Sequence, residues 1–417
     1  MSIAMNEKII LSALDIGTTK ICALIGEYDK SVSEYRILGI GKVPSSGMKS
    51  GVIIDIDLTR DSIDNAVSEA LKNAGVEKIS GVTVGIAGDH IRSMDTEHAI
   101  SINRADNSKK ANIIDEKDMV RLEESIKNIN IGIDREIIHV IPQEYIINDQ
   151  MVVKNPLGMS GSKLTLKAHV ITAAINNARD MINCVQKTGL NVNDIILEPL
   201  ASAEAVLTYD QKELGVCLID IGGGTTDITV FQNGHLFSTN IVGFGGQIIT
   251  RDIASLIQTS FVEAERIKKH YGWATMKQAE MEGAKEFYIK PVNGRTDIAL
   301  TSVQLSSYIE ARIREILSFS MEHIKGVQLN AGIVLTGGGS LLRGIDHLAE
   351  EMFGMNCQIG YPIHMNGMEH EDYTPDYATG IGLLYSANKK YLKPKFPSGQ
   401  SKITLWNKIK ERLSEFF

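Results

Sequence analysis

The sequence predicts an α/β protein of two similar lobes, with an inserted α+β subdomain and a C-terminal amphipathic helix. Three features carry this: a strand-turn-strand unit that occurs twice about half a chain apart, strands alternating with helices, and a Pro/Gly/Lys stretch before a short helix-period tail. At 417 residues the chain exceeds the ~250–300 at which single cores stop growing, so at least two cores are expected. An apolar fraction of 43% with 23% charged residues argues against long disorder. The net charge of −8 offers no basic excess to neutralise phosphates, which disfavours nucleic acid as a partner. Cys22, Cys184, Cys217 and Cys357 are scattered, with no C-x-x-C pair and no histidine at ligand spacing, so they read as small buried hydrophobes of a reducing compartment. The apolar run 9–14 is cut short by Asp15, so neither an export signal nor a spanning helix is expected there.

In chain order, residues 9–25 read as a strand, a small-residue turn and a second strand. The first-lobe core is assigned to 1–81 and 164–196. Between them, 82–163 has its own strand runs at 82–86 and 137–142 and a helix at 115–129, and is expected to form the inserted subdomain. Helical spacing over 176–188 is followed at Glu198 by a helix start with Pro199 in its first turn. The strand 216–221, the tip 222–226 and the strand 227–231 repeat the first hairpin. The second-lobe core is assigned to 197–246 and 302–387, including a long amphipathic helix over 302–324, and 247–301 forms its outer part. A buried-strand run at 333–335 leads into Gly337-Gly338-Gly339-Ser340, and 376–385 reads as a helix in which Gly380 and Gly382 allow close approach. Residues 388–402 hold Pro394, Pro397, Gly399 and five lysines without an acid, the composition of a flexible basic linker.

The chemistry lies in the glycine tips. A phosphate needs several backbone N–H groups converging on it, an approach that a Cβ blocks and glycine permits. Gly17 supplies this at the first tip and Gly222, Gly223 and Gly224 at the second, while the hydroxyls of Thr18, Thr19, Thr225 and Thr226 can donate to phosphate oxygens. Asp15 and Asp220 sit at matched strand ends, where two carboxylates can hold Mg²⁺ largely through its water shell. Turns are rich in Gly, Thr and Asp for their own reasons, so either tip alone is weak evidence. Their repetition, with a third strand-glycine-helix unit, points to a nucleotide gripped between lobes. There is no G-x-x-x-x-G-K-[ST] loop, and no strand-GxGxxG-helix unit with its later acid.

The order LDIGTTK (14–20), LEPLASAEA (197–205), LIDIGGGTTDITVF (218–231), VLTGGGSLL (334–342) and ATGIGLL (378–384) resembles the five-part signature of the actin, DnaK-type chaperone and sugar-kinase superfamily, over most of the chain. The resemblance implies a two-lobed actin-like ATPase fold with duplicated ribonuclease-H-like halves. It implies phosphate and Mg²⁺ contacts for Asp15, Gly17, Thr18, Thr19 and Lys20, and β- and γ-phosphate contacts for Gly222 to Thr226, with Asp220 and Asp227 beside them. Gly337, Gly338, Gly339 and Ser340 would face the adenosine, and Gly245, Gly246, Gln247, Glu265 and Lys268 resemble ribose and adenine contacts. For Lys268 a solvated helix lysine is the plainer reading. Glu198 matches the position that orients the attacking water; it reads equally as a helix-start carboxylate favoured by the dipole.

In the tail, 403–417, Leu405, Trp406, Ile409, Leu413, Phe416 and Phe417 share one helix face, with Lys408 and Arg412 on one flank and Lys410 on the other. Fifteen residues reach about 22 Å, too short to span a bilayer, so the helix is expected in the interface with its bases on anionic headgroups. A helix docked on the protein's own core is the alternative, but it leaves the linker and the terminal aromatics unexplained. Insert and tail together resemble the bacterial cell-division FtsA family. That likeness implies an ATP-binding protein that polymerises, meets other division proteins through the insert, and anchors FtsZ filaments to the cytoplasmic face of the membrane at the septum, with ATPase activity weak or absent. The pilus-assembly PilM family shares the insert but is not expected to carry the anchor; a small-molecule kinase of the same superfamily is the enzyme alternative.

Overall fold

The computed structural model describes residues 8–102, 112–292, 294, 296–369 and 372–392. The tail residues assigned to membrane contact, from Leu405 to Phe417, lie outside this range. Among the described residues no helix is long and apolar enough to cross a membrane.

The first lobe opens with β1 (Lys8–Ile16) and β2 (Lys20–Asp29), antiparallel from Lys8↔Asp29 to Ile16↔Ile21, and β3 (Glu34–Pro44) extends the sheet. A short hairpin, β4 (Met48–Lys49) and β5 (Val52–Ile53), leads to α1 (Ile56–Ala74). The Asp55 side chain accepts from the Leu58 N–H to cap α1, and Gly75 ends it in the left-handed conformation. Then β6 (Gly81–Ile86) runs parallel to β1. The insert follows, with β7 (Arg92–Ser101), α2 (Glu116–Lys127), β8 (Arg135–Ile147), β9 (Met151–Val153) and β10 (Lys163–Ala174) in a sheet ordered β7-β10-β8-β9. The chain returns through α3 (Ile175–Lys187) to β11 (Asn191–Leu197), which completes the five-stranded order β11-β6-β1-β2-β3.

Next come α4 (Glu198–Val206) and α5 (Tyr209–Leu214). The second lobe contributes β12 (Val216–Ile221), β13 (Thr226–Gln232), β14 (His235–Val242), α6 (Gly246–Leu256), α7 (Phe261–Tyr271) and α8 (Met276–Met281). A hairpin of β15 (Glu286–Ile289) and β16 (Ile298–Thr301) leads to α9 (Ser302–Ile324), β17 (Ile333–Thr336), a 3₁₀ turn, α10 (Ile345–Phe353), β18 (Cys357–Ile359) and α11 (Ala378–Leu392). Its sheet, β14-β13-β12-β17-β18, repeats the first: an antiparallel hairpin with a parallel strand beside it.

Both sheets are buried on two faces, so their central strands are continuous apolar runs. In the first lobe Leu14, Ile16 and Ile21 join α1 and α3 in one core, while Leu11, Ala13, Cys22 and Leu24 meet α4 and α11 in another. Each large aliphatic side chain so enclosed contributes roughly 1.5–3 kcal/mol. The helices α4 and α11 cross so closely that a Cβ on Gly382 would overlap the Ala201 carbonyl oxygen. Gly382→Ala is therefore expected to destabilise the protein by about 1–3 kcal/mol through overpacking, measured as a lower denaturation midpoint.

The structure corrects four boundaries. Residues 82–86, expected to open the insert, are the β6 strand between β1 and β11; an apolar run buried on both faces reads the same whichever sheet receives it. Residues 164–174, expected in the first-lobe core, belong to β10 of the insert, where they pair with β7 and β8. The helix α11, assigned with 302–387 to the second lobe, packs on the first-lobe sheet. It also continues to Leu392, past the expected linker start at 388, because Asn388 is buried and donates to the Tyr35 hydroxyl (2.8 Å).

Candidate functional site

The two hairpin tips close in the same way: Gly17 N–H donates to the Lys20 carbonyl (3.0 Å) and Gly222 N–H to the Thr225 carbonyl (2.9 Å). They face each other. A Cβ on Gly223 would overlap Thr19, and one on Gly224 would overlap Thr18, so only glycine lets the second tip approach the first. Behind the second tip, the first amides of α6 are spent on its carbonyls, Gly246 N–H to Gly222 (2.8 Å) and Gln247 N–H to Gly223 (2.9 Å), which fixes the loop.

The cleft between the tips is lined by Asp15 through Lys20, Gly51, Ala87, Glu198, Asp220, Gly222 to Thr225, Asp227, Gly337, Gly338, Asp376 and Thr379. Of the expected contacts, Thr226 turns away and its hydroxyl donates to the Phe244 carbonyl (2.9 Å). Ser340 is buried with its hydroxyl on Gly337, and Gly339 packs on Ile221. Gly245, Gly246, Gln247, Glu265 and Lys268 stand outside this lining. Glu265 and Lys268 pair at 2.6 Å, and the Lys268 ammonium also donates to the Thr250 hydroxyl (2.8 Å) and the Gly246 carbonyl (3.1 Å). Lys268 is thus a fixed group tied to the α6 start and not a solvated helix lysine.

Gly51, Ala87, Asp376 and Thr379 were not singled out by the sequence. Asp376 joins two lysines of the first lobe: its carboxylate accepts from Lys42 (2.6 Å) and its carbonyl from Lys20 (2.5 Å). Burial opposes its ionisation, but Lys20 and Lys42 hold its pKa below the usual value. Its only local signal is the Thr374-Pro375-Asp376 turn at the head of α11.

Four carboxylates converge beneath the tips. Burial, then the Asp15, Asp227 and Asp220 charges, push the Glu198 carboxyl well above the usual range. Burial, Asp220 and Asp15 do the same to Asp227. Asp220 is raised by burial against a hydrogen bond from the Ser202 hydroxyl (2.6 Å). Burial also opposes the charge on Lys20, but Asp15 leads the groups that raise its pKa. The buried Asp227 Oδ1 has no hydrogen-bond partner among the described residues. Among the described residues no three of these acids are placed to ligate one ion directly; the excess negative charge and the orphaned carboxylate oxygen fit a hard divalent cation that keeps much of its water shell, and the glycine tips above it fit phosphate.

Two family descriptions match the chain, "Cell division protein FtsA" over residues 217–382 and "SHS2 domain inserted in FTSA" over residues 88–172. The "Cell division protein FtsA" of Neisseria meningitidis serogroup B is 40% identical over 385 residues, 91% of this chain and 90% of that protein. The Escherichia coli K12 protein of the same description is 32% identical over 400 residues, 93% of this chain and 92% of its own. The chain belongs to the FtsA family. As FtsA-family proteins do by their description, it serves cell division. Among solved structures, the PilM-PilN type IV pilus biogenesis complex aligns with a TM-score of 0.63 at 13% identity, covering 91% of this chain and 98% of the other. MreB5 of Spiroplasma citri bound to ADP aligns at 0.54 and 14%, covering 94% and 99%. The fold of this FtsA-family chain is the actin-like ATPase fold, and the SHS2 match at 88–172 agrees with the corrected limits of the insert.

Proposed function

We propose that this chain binds Mg-ATP in the cleft between its lobes, self-associates into filaments, and holds FtsZ polymers to the cytoplasmic face of the division-site membrane through residues 403–417. The observation that carries the nucleotide part is the apposition of Gly223 and Gly224 with Thr19 and Thr18 above three buried aspartates and the partly buried Glu198. The aligned MreB5 is bound to ADP, which supports the same reading. Backbone amides of both tips and Lys20 would meet the phosphates, and Asp15 and Asp220 would hold the cation largely through its water shell, with the unpartnered Asp227 carboxylate oxygen close by. A bound Mg²⁺ supplies positive charge that lets phosphate and carboxylates share the cleft. Glu198 is wedged against β6, where a Cβ on Gly85 would lie 2.8 Å from its Cγ, and is the group that would take a proton from water should the nucleotide be hydrolysed. Many weak tails on one filament would bind membrane by avidity.

Removing residues 403–417 is expected to release the protein from anionic liposomes while calorimetric Mg-ATP binding stays unchanged. Undiminished sedimentation with lipid would overturn the anchor; absent heat of binding in both proteins would overturn the nucleotide site.

A further inference from the structure

The insert is tied to the rest of the molecule through β8, whose pairing with β10 is interrupted twice. The register skips Ile138 and Gln143, so each is an extra residue of a bulge, and bulges re-aim side chains. The re-aimed Gln143 amide donates to the Leu236 and Phe237 carbonyls of β14 (3.2 and 3.3 Å), and Ser93 of β7 adds a bond to the Thr239 carbonyl (3.0 Å). The insert therefore grips the second lobe. Between the bulges, His139 Nε2 accepts the backbone N–H of Leu197 (3.0 Å), which makes the ring a neutral Nδ1–H tautomer. Leu197 is the N-cap of α4, a helix with no side-chain cap of its own. In many helices a side chain three residues on accepts the N-cap N–H; here a histidine 58 residues upstream does so. The next residue is Glu198 in the cleft, and one turn later Ser202 holds Asp220.

We propose that His139 is a positioning residue that couples the inserted subdomain to the nucleotide cleft by fixing the start of α4. The proposal rests on the nucleotide reading given above. A ligand that draws the lobes together acts on α4 through Glu198 and Asp220 and on β14 through the second tip, where Thr226 pairs with Val242 of β14. The insert holds both elements and must follow. Coupling is reciprocal, so whatever binds the insert changes nucleotide affinity by the same factor.

Hydrogen exchange on the full chain tests this. In the wild type, Mg-ATP is expected to slow exchange at 222–226 directly and at 135–147 by about fivefold or more. His139→Ala is expected to keep the first response and lose the second, and His139→Gln, whose Oε1 can accept the same N–H, to restore it. A response at 135–147 that persists in His139→Ala overturns the coupling role, as does one that His139→Gln fails to restore while melting temperatures match. Absence of the 222–226 response in the wild type is a separate result: it removes the nucleotide reading, and the proposal with it.

Discussion

Gly224→Val is expected to weaken Mg-ATP binding at least about a hundredfold while leaving the fold intact, each tenfold being about 1.4 kcal/mol. The added Cβ falls on the Thr18 side chain, so the second tip must withdraw from the first. Two consequences combine: the amides lose their convergence, and the branched side chain enters space that phosphate oxygens need. Both act on the ligand-bound state. Isothermal titration together with far-ultraviolet circular dichroism separates lost binding from lost structure. Retained affinity with an unchanged spectrum would refute the view that the tips hold the nucleotide between them.

Asp227→Asn is expected to act on the ligand-free protein and to raise its stability. The wild-type carboxylate is buried beside Asp220 and Asp15 with one oxygen unpartnered, a conflict that a neutral amide relieves by about 1–2 kcal/mol, or a few degrees in melting temperature. Its pH dependence has a definite sign. An acid whose folded pKa is raised keeps a proton that the unfolded chain has released, so its contribution to stability falls as pH rises from about 4 towards the raised value. The stability difference between variant and wild type should grow with pH across that window. His90 works the other way, since burial, opposed by Asp89 and helped by Arg135 and Arg92, lowers its pKa to about 4, so stability is lost as pH falls from 6.5. It is common to both proteins and cancels in the difference. Added Mg²⁺ should raise the melting temperature of the wild type more than that of Asp227→Asn; equal shifts would remove Asp227 from the cation site.

Legibility in the sequence followed locality. Both hairpins and the helix at 302–324 could be read because apolar runs, turn residues and helical periodicity all lie within the segment itself. The destination of 82–86 could not be read, since choice of sheet is decided by distant partners at Ala13 and Leu14. The end of α11 was obscured by polar residues after Ala387, although Asn388 is buried against Tyr35. In the cleft, the residues read in advance are those of the repeated tips. Asp376 escaped because its role comes from Lys20 and Lys42, more than 330 positions away in sequence.

The core that contains α1 and α3 also holds Ile171 and Ala173 of the insert and Val216, Leu218 and Leu236 of the second lobe, with Ile138 and Ile141 packed on it. Residues 88–172 cut out as a recombinant fragment would present that greasy underside to water, and such a fragment should clump or need detergent. Heat or denaturant would likewise find no seam there, so the three parts that divide the primary structure should come apart as one cooperative block.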